Sequence, residues 1–284
     1  MTIIVLGSSG FLGKSLVSKL KEECIYCKSM IRHKNNLKKN DFFGNITKEG
    51  FLEGEISNND IVVNLVGQCS NDISKLFAEN VKGTFNLLNS VIKKKNIKVI
   101  FASSTTVYDE NIKKASKESD SIKPTTNYQI AKALAESIYR TYSMVYGINI
   151  TILRFSNVYG PNKKAGIIFN CLESIKNQKP VIIDHNGNQI RDFVFIDDAV
   201  QGIIKTLKNP LDGFNILNIS SGEGIKVKKI IKMIENISKK KIHVNFTSQK
   251  FDKKNLIADN RKAKKLLKFT SETKIKNGLE QIIL

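Results

Sequence analysis

Tyr128 and Lys132 stand four residues apart in a stretch patterned as a helix, so a phenol and an ammonium share one face, one turn apart. A lysine cation beside a phenol favours the phenolate and lowers a pKa that is about 10 in isolation. That chemistry is acid/base, suited to moving a proton on or off a substrate hydroxyl. In a chain this rich in lysine the spacing alone says little. A second motif gives it a partner: Gly7-Ser8-Ser9-Gly10-Phe11-Leu12-Gly13, which directly follows the apolar run Ile3 to Leu6. Glycines at 7, 10 and 13, between a strand and a helix, let a pyrophosphate reach backbone N–H groups with no Cβ in the way. Three glycines can also mark a plain tight turn, but the strand–helix units that follow point to a dinucleotide.

The elements that must position these groups alternate. Strands are expected at Ile3 to Leu6, Ile25 to Ile31, Asp60 to Val66, Val99 to Ser103 and Ile150 to Phe155. Helices are expected at Lys14 to Lys21, Ile73 to Lys95 and Thr126 to Tyr146. Ile61-Val62-Val63-Asn64-Leu65-Val66 is apolar almost throughout, as a strand covered on both faces should be. The fold class is therefore α/β: a doubly wound parallel sheet with a smaller C-terminal α/β substrate lobe. Residues 1–156 form the dinucleotide domain and 157–284 the lobe, with a soft, interleaved boundary. In the lobe a helix is expected from Gly166 to Asn177 and a short strand from Val181 to Ile183. Asn186-Gly187 favours a tight hairpin between that strand and the next, Ile190 to Phe195. Asp197 and Asp198 open a helix as caps; Phe214 to Ile219 reads as a strand and Val227 to Ser238 as a helix.

Composition narrows the class further. The 284 residues are 41% hydrophobic and 25% charged, ordinary for a soluble globular protein. No apolar run approaches the roughly 20 residues of a membrane helix. The first residues enter a strand at once, so no secretory leader is expected and the cytoplasm is the default. The net charge of +20 invites a nucleic-acid reading, but only five of the 46 basic residues are arginine, and the lysines are spread along the chain. An RNA binder would cluster arginine with aromatics on one face. Cys24, Cys27, Cys69 and Cys171 read as reduced packing thiols; Cys24-x-x-Cys27 falls in an apparent strand, Cys24 to Ile31, and no second ligand pair follows to complete a metal site.

Ser103-Ser104-Thr105-Thr106 ends the fourth major strand, where a doubly wound sheet presents its ligand crevice. A hydroxyl there could bond the same oxygen that Tyr128 serves. At this point the chain resembles the extended short-chain dehydrogenase/reductase family, the NAD-dependent epimerase/dehydratase group, over nearly its whole length. The resemblance rests on Gly7 to Gly13, Asn80-Val-Lys-Gly83-Thr84, Ser103-Ser104 with Val107-Tyr108, and Pro124 ahead of Tyr128 and Lys132. It continues in Arg154-Phe-Ser-Asn157-Val-Tyr-Gly160-Pro161 and Arg191-Asp192-Phe193-Val194-Phe195-Ile196-Asp197-Asp198. It implies Ser104, Tyr128 and Lys132 as the catalytic residues: Ser104 orienting the oxygen, Tyr128 as acid/base, Lys132 on the nicotinamide ribose. Gly7, Gly10, Phe11, Leu12, Gly13, Asn45, Ile46, Leu65, Val66 and Asn80 would hold the cofactor. Thr106, Asn157 and Arg191 would meet a nucleotide-diphosphate sugar, with Arg191 on its diphosphate. A homodimer through the helices of Ile73 to Lys95 and Thr126 to Tyr146 is implied likewise.

The departures are informative. The expected second strand ends Met30-Ile31-Arg32-His33-Lys34 without a carboxylate, so Arg32 favours NADP over NAD, or is a solvated loop charge. Thr105 and Thr106 stand where sugar dehydratases of the family carry an Asp-Glu pair, and Thr106 where some epimerases carry cysteine. Elimination and ring epimerisation beside a ketone are thereby disfavoured, which leaves hydride chemistry at one carbon. The family's late arginine is absent; Lys250, Lys253 or Lys254 could substitute at the substrate diphosphate. The leading expectation is a UDP-hexose 4-epimerase-type enzyme. The rivals are an NADPH-dependent 4-keto-6-deoxy nucleotide-sugar reductase and a non-catalytic sensor or nucleic-acid binder on the same fold.

Overall fold

In the computed structural model, residues 1–32, 37–67, 70, 72–109, 114–184, 186–247 and 255–284 are described. Strands β1 (Ile3–Leu6), β2 (Cys27–Ile31), β3 (Asp41–Phe43), β4 (Ile61–Asn64), β5 (Lys98–Ser104) and β6 (Asn149–Phe155) lie parallel in one sheet. Strands β7 (Asn157–Tyr159), β8 (Val181–Asp184) and β9 (Ile190–Phe195) leave it, and β10 (Phe214–Ile219) returns to pair with β6 from Phe214↔Ile150 to Ile219↔Phe155. The order is β10-β6-β5-β4-β1-β2-β3, so the winding reverses between β1 and β4. Such a switch point opens a crevice at the carboxyl ends of the strands.

Side chains of β1 alternate between two cores because successive Cβ atoms face opposite ways. Ile3 and Val5 pack with Leu16 and Leu20 of α1 (Phe11–Glu22), while Ile4 and Leu6 pack with Leu87, Leu88, Ala135 and Tyr139 on the other face. These last four come from α3 (Gly83–Val91) and α4 (Asn127–Tyr146). The single helix expected from Ile73 to Lys95 is divided: α2 (Ile73–Phe77), a π-helical turn (Ala78–Lys82), then α3, ending at Val91. The strand β3 was not among those expected. Cys24 lies before β2 with φ +55, so only Cys27 of the Cys-x-x-Cys pair is in a strand.

In the lobe, α5 (Ile167–Asn177), α6 (Ile196–Lys208) and α7 (Val227–Ser238) surround two small sheets. β9 is flanked by β7 and pairs antiparallel with β11 (Gly224–Lys226), while β8 pairs parallel with β12 (Val244–Thr247). A second parallel partner of β9 is β13 (Asn255–Leu256), and α8 (Arg261–Leu267) and α9 (Ile275–Ile283) close the chain. The expected hairpin at Asn186-Gly187 does not form, because β8 and β9 join different sheets. Instead the turn docks on the start of α7: Lys228 N–H donates to the Gly187 carbonyl at 2.9 Å and Val227 N–H to Gln189 at 3.0 Å. Those are the otherwise orphaned donors of a helix N-terminus.

Asp198 also departs from its expected cap. The residue before α6 is Phe195, with no side-chain cap; Asp198 instead accepts from Ser271 Oγ (2.9 Å), Glu272 N (3.2 Å) and Thr273 N (3.0 Å). Among the described residues no helix is long and apolar enough to cross a membrane.

Candidate active site

The turn from β1 into α1 is built by its glycines. Gly7 holds φ +81, a conformation that side chains disfavour, and Gly10 N–H closes the turn on the Gly7 carbonyl at 3.0 Å. A Cβ on Gly13 would lie 2.1 Å from Gly7 O, so helix and strand could not approach as they do. Gly10 supplies no side-chain cap, and the first turn of α1 points its N–H groups at the cleft. This cradle fits a pyrophosphate, and the residues at hand therefore suit a dinucleotide.

Ser104 is the last residue of β5. Its Oγ accepts from Thr106 N (3.2 Å) and Thr106 Oγ1 (2.9 Å), so its own proton is left to aim at a ligand. Tyr128 and Lys132 sit in the first turns of α4, whose start is set by a capping box. Gln129 N–H reaches Thr126 Oγ1, and Gln129 Oε1 takes the N–H of Thr126 at 3.2 Å. Lys132 is buried; its ammonium donates to Ala102 O (2.9 Å) and Val66 O (3.5 Å), which ties α4 to the ends of β4 and β5. It lies 4.6 Å from the centre of the Phe101 ring and 5.9 Å from that of Tyr128. Burial pulls the Lys132 ammonium down to about 7, against the carboxylates of Glu136 and Glu79, which hold it up.

Under these groups runs a buried polar network that the sequence reading passed over. Arg154 forks onto Glu136 (Nε–Oε1 3.0 Å, Nη2–Oε2 2.6 Å), and Ser103 Oγ donates to the same carboxylate at 2.5 Å. The guanidinium stacks 4.6 Å over the Tyr108 ring, whose hydroxyl donates to Asn218 Oδ1 at 2.7 Å. Glu136 follows Lys132 by one helical turn, and that spacing was the signal available for it.

From the lobe, Asn157 opens β7 and donates to the Asp192 carbonyl (2.9 Å), while Arg191 in β9 donates to the Ile190 carbonyl (2.9 Å). One cleft of about 1170 Å³ brings together Gly7, Gly10, Phe11, Leu12, Gly13, Arg32, Asn45, Ile46, Leu65 and Val66 with Ser104, Thr106, Tyr128, Lys132, Asn157 and Arg191. Sites for one small molecule run to ~300–1,000 Å³, so this space suits a dinucleotide and a second ligand together. One expected residue among those described, Asn80, is not on its wall. Asn80 is buried behind the loop after β4: its Nδ2 donates to Leu76 O at 2.8 Å, and a Cβ on Gly67 would strike its Oδ1. Lys250, like Lys253 and Lys254, lies outside the described residues. Arg32 meets a partner that the sequence did not suggest, Glu79, with Nη1 2.9 Å from Oε1.

The arrangement can remove a hydroxyl proton beside a bound hydride carrier. Comparisons with known proteins identify the family. The profile of the NAD dependent epimerase/dehydratase family matches residues 3–220. An uncharacterised UDP-glucose epimerase of Bacillus subtilis (strain 168) is 30% identical over 98% of this chain and 96% of its own length. The solved structure of a Thermotoga maritima UDP-glucose 4-epimerase with UDP-glucose superimposes with TM-score 0.89 at 27% identity, covering 100% of this chain and 97% of that one. A Bacillus cereus UDP-glucuronic acid 4-epimerase in complex with UDP-glucuronic acid and NAD gives 0.88 at 26% identity, covering 99% and 97%. A profile spanning most of the length and a relative matched nearly end to end place the chain in the NAD dependent epimerase/dehydratase family, as an NAD(P)-dependent enzyme of that type.

Proposed function

We propose that the protein is a nucleotide-sugar 4-epimerase, and the observation that carries this is the convergence of Ser104, Tyr128 and Lys132 with the glycine cradle on one cleft. When bound, the nicotinamide supplies the hydride acceptor and, in reverse, the donor, since no side chain can. Ser104 orients the substrate hydroxyl, and Tyr128 takes its proton as the carbon loses hydride. Lys132 steadies the phenolate and grips the cofactor ribose. Once the oxidised sugar has turned its other face, Tyr128 returns the proton and no net oxidant is consumed. Arg191 suits the substrate diphosphate, as a guanidinium fork does, with Thr106 and Asn157 beside the sugar and Lys250 as a further cation for the diphosphate. In this reading residues 1–156, completed by β10, hold the cofactor, and the remainder covers the substrate. The UDP-sugar epimerases among the similar structures support it.

Arg32 on the cleft wall favours a second reading, an NADPH-dependent reductase of a 4-keto-6-deoxy nucleotide sugar. Incubation with UDP-glucose or UDP-galactose and no added NADPH is expected to interconvert them. No interconversion, together with NADPH consumption on a 4-keto-6-deoxy sugar nucleotide, would establish the reductase instead.

A second copy of the chain is proposed to cover α3 and α4. Phe85, Leu134 and Tyr146 stand exposed there, and Tyr142 packs against both Phe85 and Tyr146. Analytical ultracentrifugation at micromolar concentration is expected to return a dimer, and a monomer would count against this interface.

A further inference from the structure

The end of β2 lacks the carboxylate that in dinucleotide folds accepts the adenosine ribose hydroxyls, and presents Arg32 instead. Taken locally, that residue invites a 2′-phosphate. In the folded chain it is already engaged. Its guanidinium bonds Glu79, whose side chain is 8% exposed against 48% for Arg32. Both line the cleft with Met30, Asn45 and Ile46, which come from β2 and the segment after β3. Glu79 arrives from the π-helical turn between α2 and α3. Such turns are rare, shift the phase of a helix, and occur often at functional sites. Glu79 and Asn80 are the two buried residues of this one, and Asn80 Oδ1 has no hydrogen-bond partner among the described residues.

We propose that the Arg32–Glu79 pair selects NAD over NADP, with Glu79 supplying from a helix the carboxylate that the strand end does not. A 2′-phosphate carries a charge of about −1.5 to −2 at neutral pH. To use Arg32 it must draw the guanidinium away and leave a buried carboxylate uncompensated beside its own negative charge. A ribose hydroxyl makes no such demand: it donates a hydrogen bond to a carboxylate already held in place. The same residue that suggests NADP in isolation thus serves NAD, because its partner turns an anion site into a neutral pair with a spare acceptor.

This rests on the reading of the cleft as a dinucleotide site, and the experiment separates the two. Calorimetric titration of the purified protein with NADH and with NADPH is expected to show at least tenfold tighter binding of NADH. Glu79→Gln keeps the shape, frees Arg32 from its counter-charge, and is expected to shift the NADH/NADPH ratio towards NADPH by tenfold or more. Arg32→Gln is expected to keep the preference for NADH. A wild-type protein that prefers NADPH overturns the proposal without any variant, as does a well-folded Glu79→Gln protein with an unchanged ratio. Binding of neither dinucleotide to wild type would bring down the cofactor reading itself, a failure distinct from the other two.

Discussion

A Tyr128→Phe protein is expected to bind the dinucleotide as wild type does and to lose turnover by about 10²–10⁴-fold, the range of one positioned acid/base. The substitution keeps the half-buried ring, and with it the packing beside Lys132, and removes only the hydroxyl. Cofactor affinity should hold because Lys132 is anchored by Ala102 O and Val66 O and not by the phenol oxygen. Rapid-mixing measurement of cofactor reduction on adding the nucleotide sugar is the sensitive readout, since it isolates the first proton and hydride transfer. Full turnover in this variant would remove Tyr128 as the acid/base and revive a non-catalytic, ligand-sensing role for the fold.

Replacing Glu136 by leucine should be the most destabilising single change near the site. Arg154 and Glu136 are 4% and 5% exposed in their side chains, and the lost partner leaves a guanidinium charged in the core. Breaking a buried pair in this way costs about 3–5 kcal/mol. The melting temperature should fall by roughly 5–15 °C, given a few degrees per kcal/mol in a chain of this size. A Glu136→Leu/Arg154→Met double variant should recover much of that loss, because an intact buried pair contributes little net stability beyond a packed apolar one. A single variant as stable as wild type would show that water or a neighbour compensates Arg154. Activity should fall as well, since Glu136 helps keep Lys132 protonated against its burial.

The cleft-facing Arg32–Glu79 pair adds a separate handle. Changing it should alter which dinucleotide is held while leaving Ser104, Tyr128 and Lys132 in place. The choice of cofactor therefore rests on residues outside the Ser104, Tyr128 and Lys132 set, with Glu79 also helping to hold the Lys132 ammonium charged.

Much of this protein is legible from local chemistry. The glycines at 7, 10 and 13 are dictated by contacts within a single turn, where a Cβ would strike backbone a few residues away. The box of Thr126 and Gln129 starts α4 where the sequence places it, and the four-residue spacing then fixes how Tyr128 and Lys132 share a face. The alternation of strands and helices also follows from short-range periodicity, and with it the parallel sheet. Ends of elements were less well marked, as with the π turn inside the helix expected from Ile73 to Lys95.

What lay beyond the sequence are the meetings of distant residues. Asn186-Gly187 has every local feature of a hairpin turn, yet the Gly187 carbonyl serves α7, because strand pairing follows the burial of whole faces and overrides a turn preference. Arg154 finds Glu136, and Arg32 finds Glu79 across 47 positions of chain, only once the helices pack on the sheet. Side-chain type and spacing set which groups could do chemistry. The tertiary fold decided which charges are neutralised, since a partner's distance and burial depend on packing that no local pattern encodes.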